Sequence, residues 1–134
     1  FINEQQMHVG DKTILREAIV GVDMGYIDDK GKMLLNMLSD VWPDMQSIRM
    51  IGSAALGIAY AAAGRFEVYA HHHVQPWDIA SGLLLVREAG GIATDLRGNQ
   101  ADPQSGCLVA APPAIHRAFM EATDGTEWRL SQNV

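Results

Sequence analysis

Three consecutive histidines, His71, His72 and His73, precede Asp78 in the segment HHHVQPWDIASGLLLVREAGG, residues 71–91. These residue types offer two chemistries. Imidazole nitrogens bind transition metals such as zinc, whereas a carboxylate suits a hard, oxygen-ligated cation such as Mg2+. In an extended strand His71 and His73 share one face and His72 points to the other. A closed zinc site takes four ligands, and no second cluster supplies them: His8 and His116 are isolated, and Cys107 is the only cysteine. The histidines therefore read as lining a polar loop without a metal of their own, with a zinc site of His71, His73 and Asp78 as the alternative. Asp78 stands at the predicted start of a helix, where exposed N–H groups and the helix dipole favour an anion. Such a residue is equally an ordinary N-cap, and position alone does not separate a cap from a ligand.

The elements that must position these residues are legible from periodicity. Residues 2–9 read as a hairpin remnant with Asn3 to Gln6 as its turn. EAIVGVDMG (17–25) reads as a buried strand. Residues 29–41 form a helix through Met33, Leu34, Met37, Leu38 and Val41, closed by Pro43. A strand over 47–52 leads to a helix over 53–64, with Ser53 as N-cap and Gly64 as its stop. That helix is apolar all round and is expected to be covered on most sides.

A strand over 65–71 precedes the helix from about Asp78 to Ala89. Its inner stripe is Ile79, Leu83 and Val86, widened by Leu84 and Leu85, and Gly90-Gly91 ends it. Strands over 91–95 and 106–112 are separated by the turn-rich LRGNQADPQS. A last helix starts near Pro113 and runs through Ile115, Phe119 and Met120, and the polar tail from Thr123 is expected to fray. Strands alternating with helices predict an α/β fold: a mainly parallel sheet flanked by helices.

At 134 residues the chain suits one domain that buries roughly two-thirds of its unfolded surface. Ten Lys and Arg against sixteen Asp and Glu give a net charge of −6. That balance argues against non-specific nucleic-acid binding and against anionic membranes. It leaves a phosphorylated substrate open, because a bound cation inverts the local field. The single cysteine fits a reducing compartment, so a cytoplasmic location is expected. The apolar run from Ala54 to Ala63 is too short to cross a bilayer.

Wording now adds to spacing. PWDIASGLLLVREAGG resembles the carboxy-terminal signature of the inositol monophosphatase family, a W-D-x-A-[AS]-G segment followed by an E-A-G-G ending. IRMIGSAALGIAYAAAGRFEVY is similar to the family's arginine-x-x-Gly-Ser-Ala-Ala segment and the strand after it. GIATDLRGN resembles the next strand and turn, and a weaker match runs from Phe1 to about His116.

The resemblance implies a role for each matching residue. Asp78 takes the place of a metal-binding aspartate that helps hold Mg2+ beside the attacking water, with Pro76 and Trp77 shaping its turn. Gly52, Ser53 and Ala54 match a helix start that faces the substrate. His71 falls where inositol-hydrolysing members often place a glutamate that binds a ring hydroxyl, a departure that bears on specificity.

The family's other metal ligands lie in an upstream glutamate segment and a D-P-[IL]-D-G-T segment, and neither occurs here. TDGT at 123–126 is a partial echo in the wrong place. The chain, which starts at Phe1, is therefore expected to be a carboxy-terminal half, the α/β subdomain of a sugar-phosphatase-type αβαβα sandwich spanning 1–134 with a polar tail over 123–134. The implied function is part of a Mg2+-dependent phosphomonoesterase acting on inositol phosphate or a similar sugar or alcohol phosphate, and the chain alone is expected to be inactive. Family members are commonly dimers, so a homo-oligomer is expected. The alternative is a non-catalytic interaction module that keeps the fold without the upstream ligands.

Overall fold

Five strands assemble into one sheet in the computed structural model, which describes residues 1–133. They are β1 (Ile19–Val22), β2 (Ser47–Arg49), β3 (Val68–His71), β4 (Ile92–Thr94) and β5 (Leu108–Ala111), in the spatial order β2-β1-β3-β5-β4. β1 runs parallel to β2 and β3, while β5 is antiparallel to β3 and β4. Four strands thus point one way and β5 alone is reversed. The reversal follows from its connection: the turn-rich segment after β4 contains no crossover helix, and a parallel return would need one. The expected α/β class and predominant strand direction hold.

Five helices cover the two faces: α1 (Asp28–Val41), α2 (Ala54–Ala62), α3 (Pro76–Glu88), α4 (Pro113–Ala122) and α5 (Glu127–Leu130). The two-residue period of the strands sorts the core into two layers. Val20, Val22, Val68, Ala70, Val109 and Ala111 pack with Leu34, Leu38, Ile115, Phe119 and Trp128 from α1, α4 and α5. Tyr69, Leu108, Ala110 and Ala93 pack with Ile58, Ala61, Ile79, Leu83 and Val86 from α2 and α3. Glycines allow the second layer to close up. A Cβ on Gly57 would lie 2.1 Å from the Tyr69 ring, and one on Gly82 would lie 2.5 Å from Ile58.

Several expectations are corrected. The tail from Thr123 does not fray: Thr123 is buried, and α5 inserts Trp128, 0% exposed, between α1 and α4. The polar residues around Trp128 hid its single large apolar anchor. Val134, the end of the expected tail, lies outside the described residues. The hairpin remnant expected over residues 2–9 is reduced to one antiparallel pair, and its turn is shorter than Asn3 to Gln6. A tight turn at Asn3-Glu4, both at positive φ, closes the Ile2–Gln5 bridge, and no ladder extends it.

α2 is covered on most sides as expected, with Ala55 and Leu56 left exposed. Leu84, 59% exposed, and Leu85 face outward, so the inner stripe of α3 is Ile79, Leu83 and Val86 without widening. No helix among the described residues is long and apolar enough to cross a membrane.

Candidate active site

β1 and β3 are neighbours running the same way, so their carboxyl ends open side by side, a position where parallel sheets receive ligands. Past Val22 the alternation of β1 carries Asp23 to the same side as Gly21, toward α2 and α3. Gly21 sits opposite Tyr69 in the ladder. Its missing side chain makes room for two rings, because a Cβ there would lie 2.5 Å from Phe66 and 3.0 Å from Tyr69. The Tyr69 hydroxyl therefore reaches along the sheet and donates to Asp23 Oδ2 at 2.6 Å. Burial raises the Tyr69 pKa, and the bond to Asp23 adds to it, so the phenol remains a donor.

Asp23, 7% exposed, is a hub. Its Oδ1 accepts the backbone N–H of Ile51 at 3.0 Å and of Gly52 at 2.7 Å. Gly52 adopts φ +73, a left-handed turn that glycine takes without strain. Ser53 then caps α2, its hydroxyl accepting the Leu56 N–H at 3.2 Å. The Gly52 N–H is spent on Asp23, so Gly52 shapes the turn. The first-turn N–H groups of Ala54 and Ala55 have no intrahelical acceptor and border the cleft.

The start of α3 faces them. Pro76 occupies the first helical position, which suits its fixed φ and missing N–H. The helix therefore begins two residues earlier than the sequence reading, with Gln75 as the N-cap. Asp78 is the third helical residue rather than the cap, and its Oδ2 accepts the Gln75 N–H at 3.0 Å. Its Oδ1 makes no hydrogen bond among the described residues. Trp77, 77% exposed, flanks it.

Strand alternation separates the histidines as expected. His71 and His73 line the cleft, whereas His72 turns into the opposite layer, where its Nδ1 accepts the Trp128 indole N–H at 3.0 Å. His71 Nδ1 accepts the His73 backbone N–H at 3.0 Å. Burial lowers the His71 pKa against the opposing pull of Asp23, so the ring is held neutral with its proton on Nε2.

The resulting cleft, of about 700 Å³, gathers Asp23, Gly52, Ser53, Ala54, His71, His73, Trp77 and Asp78. Every predicted site residue borders it. Its charged side chains are the carboxylates of Asp23 and Asp78, with no lysine or arginine. Asp23 and Tyr69 escaped the sequence reading. An acidic residue ending the apolar run IVGVD was the available signal for Asp23. Nothing in the sequence paired it with Tyr69, 46 positions away.

Among the described residues no group of three or more His, Cys, Asp or Glu is arranged to hold a metal ion. Asp78 offers one open carboxylate oxygen, while both oxygens of Asp23 already accept hydrogen bonds. One open oxygen fits a single position around an oxygen-ligated cation and does not make a complete site.

Comparison with known proteins identifies the family and the fold. The family model described as the inositol monophosphatase family matches residues 1–127. The chain is 36% identical over 124 residues to an inositol-1-monophosphatase of Mesorhizobium japonicum, a match covering 91% of this chain and 46% of that protein. It is 37% identical over 116 residues to a fructose-1,6-bisphosphatase/inositol-1-monophosphatase of Thermotoga maritima, covering 87% of this chain and 43% of that protein. The crystal structure of extragenic suppressor protein suhB from Bartonella henselae superposes with a TM-score of 0.86 at 30% identity. That match covers 93% of this chain and 48% of the other. The chain thus spans about half the length of the curated relatives it matches.

Proposed function

The chain belongs to the inositol monophosphatase family, and from that premise we propose that it forms the carboxy-terminal part of a Mg2+-dependent phosphomonoesterase acting on a small phosphorylated metabolite. The observation that carries this reading is electrostatic. Two helix starts border one cleft whose charged side chains are both carboxylates. Helix N–H groups attract phosphate oxygens, but Asp23 and Asp78 repel a dianion unless a cation stands between. Such a cation suits Asp78 Oδ1, the open carboxylate oxygen at the cleft.

Each residue then has a task. Asp78 contributes one ligand to Mg2+, which when bound lowers the pKa of a coordinated water and screens the ester oxygens. The Ser53–Ala54 start of α2 receives phosphate or sugar oxygens, and Gly52, tied to Asp23, aims it. His71 presents its Nε2–H to an acceptor on the substrate. A donor at this position differs from a carboxylate, which favours a hydroxyl, so inositol phosphate and sugar phosphates such as fructose bisphosphate are the substrate class to compare. A lone carboxylate holds Mg2+ poorly, so the remaining ligands come from outside this chain. The open outer surface of α2 and α3 supports homo-oligomeric assembly.

The test uses a protein of the family's usual length that contains this chain. Asp78→Asn is expected to cut Mg2+-dependent hydrolysis of inositol phosphate and fructose bisphosphate by orders of magnitude, with thermal unfolding unchanged. His71→Ala is expected to change the ratio of kcat/KM for the two esters. Full activity in Asp78→Asn contradicts the assignment. No turnover by the longer protein toward any phosphomonoester favours the interaction-module alternative.

A further inference from the structure

A second cavity, of about 430 Å³, lies beside the β4 edge of the sheet and shares no lining residue with the cleft. Three guanidinium groups converge on it: Arg97 from the turn after β4, Arg117 from α4 and Arg129 from α5. In a chain of net charge −6, three arginines on one wall outnumber the two carboxylates beside them, Glu121 and Asp124. None of the three forms an ion pair among the described residues.

Arg129 is fixed in place. Its Nε donates to the Leu96 carbonyl, and its Nη1 donates to the Met120 carbonyl at 2.8 Å and to Thr123 Oγ1 at 3.1 Å. Its Nη2 makes no hydrogen bond among the described residues and is left to donate to an incoming anion, although Asp124 and Asp95 lie near enough to offset part of the buried charge. Arg97 and Arg117 are exposed and uncommitted on either side.

The cavity also offers acceptors. Thr94 donates its hydroxyl proton to the Asp95 carbonyl at 2.9 Å. The 2.8 Å contact between Thr94 Oγ1 and His116 Nε2 is therefore donated by the imidazole. That places the His116 proton on Nε2 and leaves Nδ1 as an acceptor, consistent with a ring that burial keeps neutral. Glu121 and Asp124 add carboxylates to the wall, and Met120 adds an apolar face.

We propose that this cavity binds a sugar phosphate, with the phosphate on Arg97, Arg117 and Arg129 and the hydroxyls on His116 Nδ1 and the Glu121 and Asp124 carboxylates. The planar fork of arginine matches phosphate geometry. Inorganic phosphate alone satisfies the guanidinium groups but leaves the acceptors and the Met120 face unused. A polyanion without hydroxyls is repelled by the two carboxylates. The volume falls within the range of small-molecule sites, roughly 300–1,000 Å³.

The test is an NMR titration of the 134-residue chain in EDTA, so that no divalent cation contributes. Glucose 6-phosphate, glucose and inorganic phosphate are compared. Glucose 6-phosphate is expected to shift the amides of Arg97, His116 and Arg117 saturably, and more tightly than either fragment. Arg117→Ala and Arg97→Ala, both exposed and compatible with the fold, are expected to weaken it about tenfold or more. Asp78→Asn, in the cleft, is expected to bind as the parent does. The proposal is overturned by shifts that are absent, confined to the cleft or unchanged in both arginine variants. Equal binding of glucose or of inorganic phosphate also overturns it.

Discussion

The indole Nε1–H of Trp128 donates to Nδ1 of buried His72 across 3.0 Å, joining the last helix to the end of β3. The bond requires a neutral imidazole, because a protonated ring has no acceptor. Burial, reinforced by neighbouring His71, pushes the His72 pKa down to about 4. The unfolded chain, with an ordinary value near ~6.5, takes up a proton between these limits that the native state refuses. Stability contributed by His72 is therefore complete above ~6.5 and is lost as pH falls toward about 4. Urea midpoints from pH 7.5 downward should fall less steeply in His72→Gln than in the parent. Identical slopes would show that His72 does not couple to folding.

Tyr69→Phe removes the hydroxyl that donates to Asp23 Oδ2. A buried carboxylate oxygen then loses its partner, at a cost of about 1–3 kcal/mol. Because the same Asp23 holds the Ile51 and Gly52 amides, hydrogen exchange at Gly52 should accelerate alongside the drop in urea midpoint. A stability loss with unchanged exchange at Gly52 would separate Tyr69 from the turn.

Gly57→Ala is a test of packing. The added Cβ would stand 2.1 Å from the Tyr69 ring, which Gly21 and Phe66 already confine. The ring cannot retreat without moving its hydroxyl from Asp23. A destabilisation of about 1–3 kcal/mol is expected, measured by chemical denaturation. A neutral substitution would mean that α2 slides freely over β3.

Much of this architecture was legible because it rests on local periodicity. The Ile79, Leu83 and Val86 stripe and the alternation at Val68, Tyr69 and Ala70 both report directly which side faces the core. Asp78, Ser53 and His71 were legible from motif wording and helix-start chemistry, and they do share a cleft. What escaped depends on contacts distant in sequence. Asp23 meets Tyr69 only after β1 and β3 pair, and Trp128 meets His72 only after α5 folds back over 56 positions. The exact start of α3 escaped for a different reason. Pro76 and Asp78 are both favourable near a helix start, and the capping bond to Gln75 decided between them.

The last prediction concerns the surface opposite the core. Leu84 is 59% exposed on α3, and Leu56 and Leu85 are also exposed on the outer surfaces of α2 and α3. An apolar surface of this kind favours association, since burying it on a second molecule removes it from water at about 25 cal/mol per Å². The chain by itself is expected to self-associate in sedimentation velocity runs, with the mean coefficient rising with concentration. Leu84→Lys places a charge on that surface without touching the Ile79–Leu83–Val86 contact, so it should shift the equilibrium toward monomer while leaving the unfolding midpoint nearly unchanged. A parent chain that stays monomeric across the whole concentration range would show that this surface does not drive association.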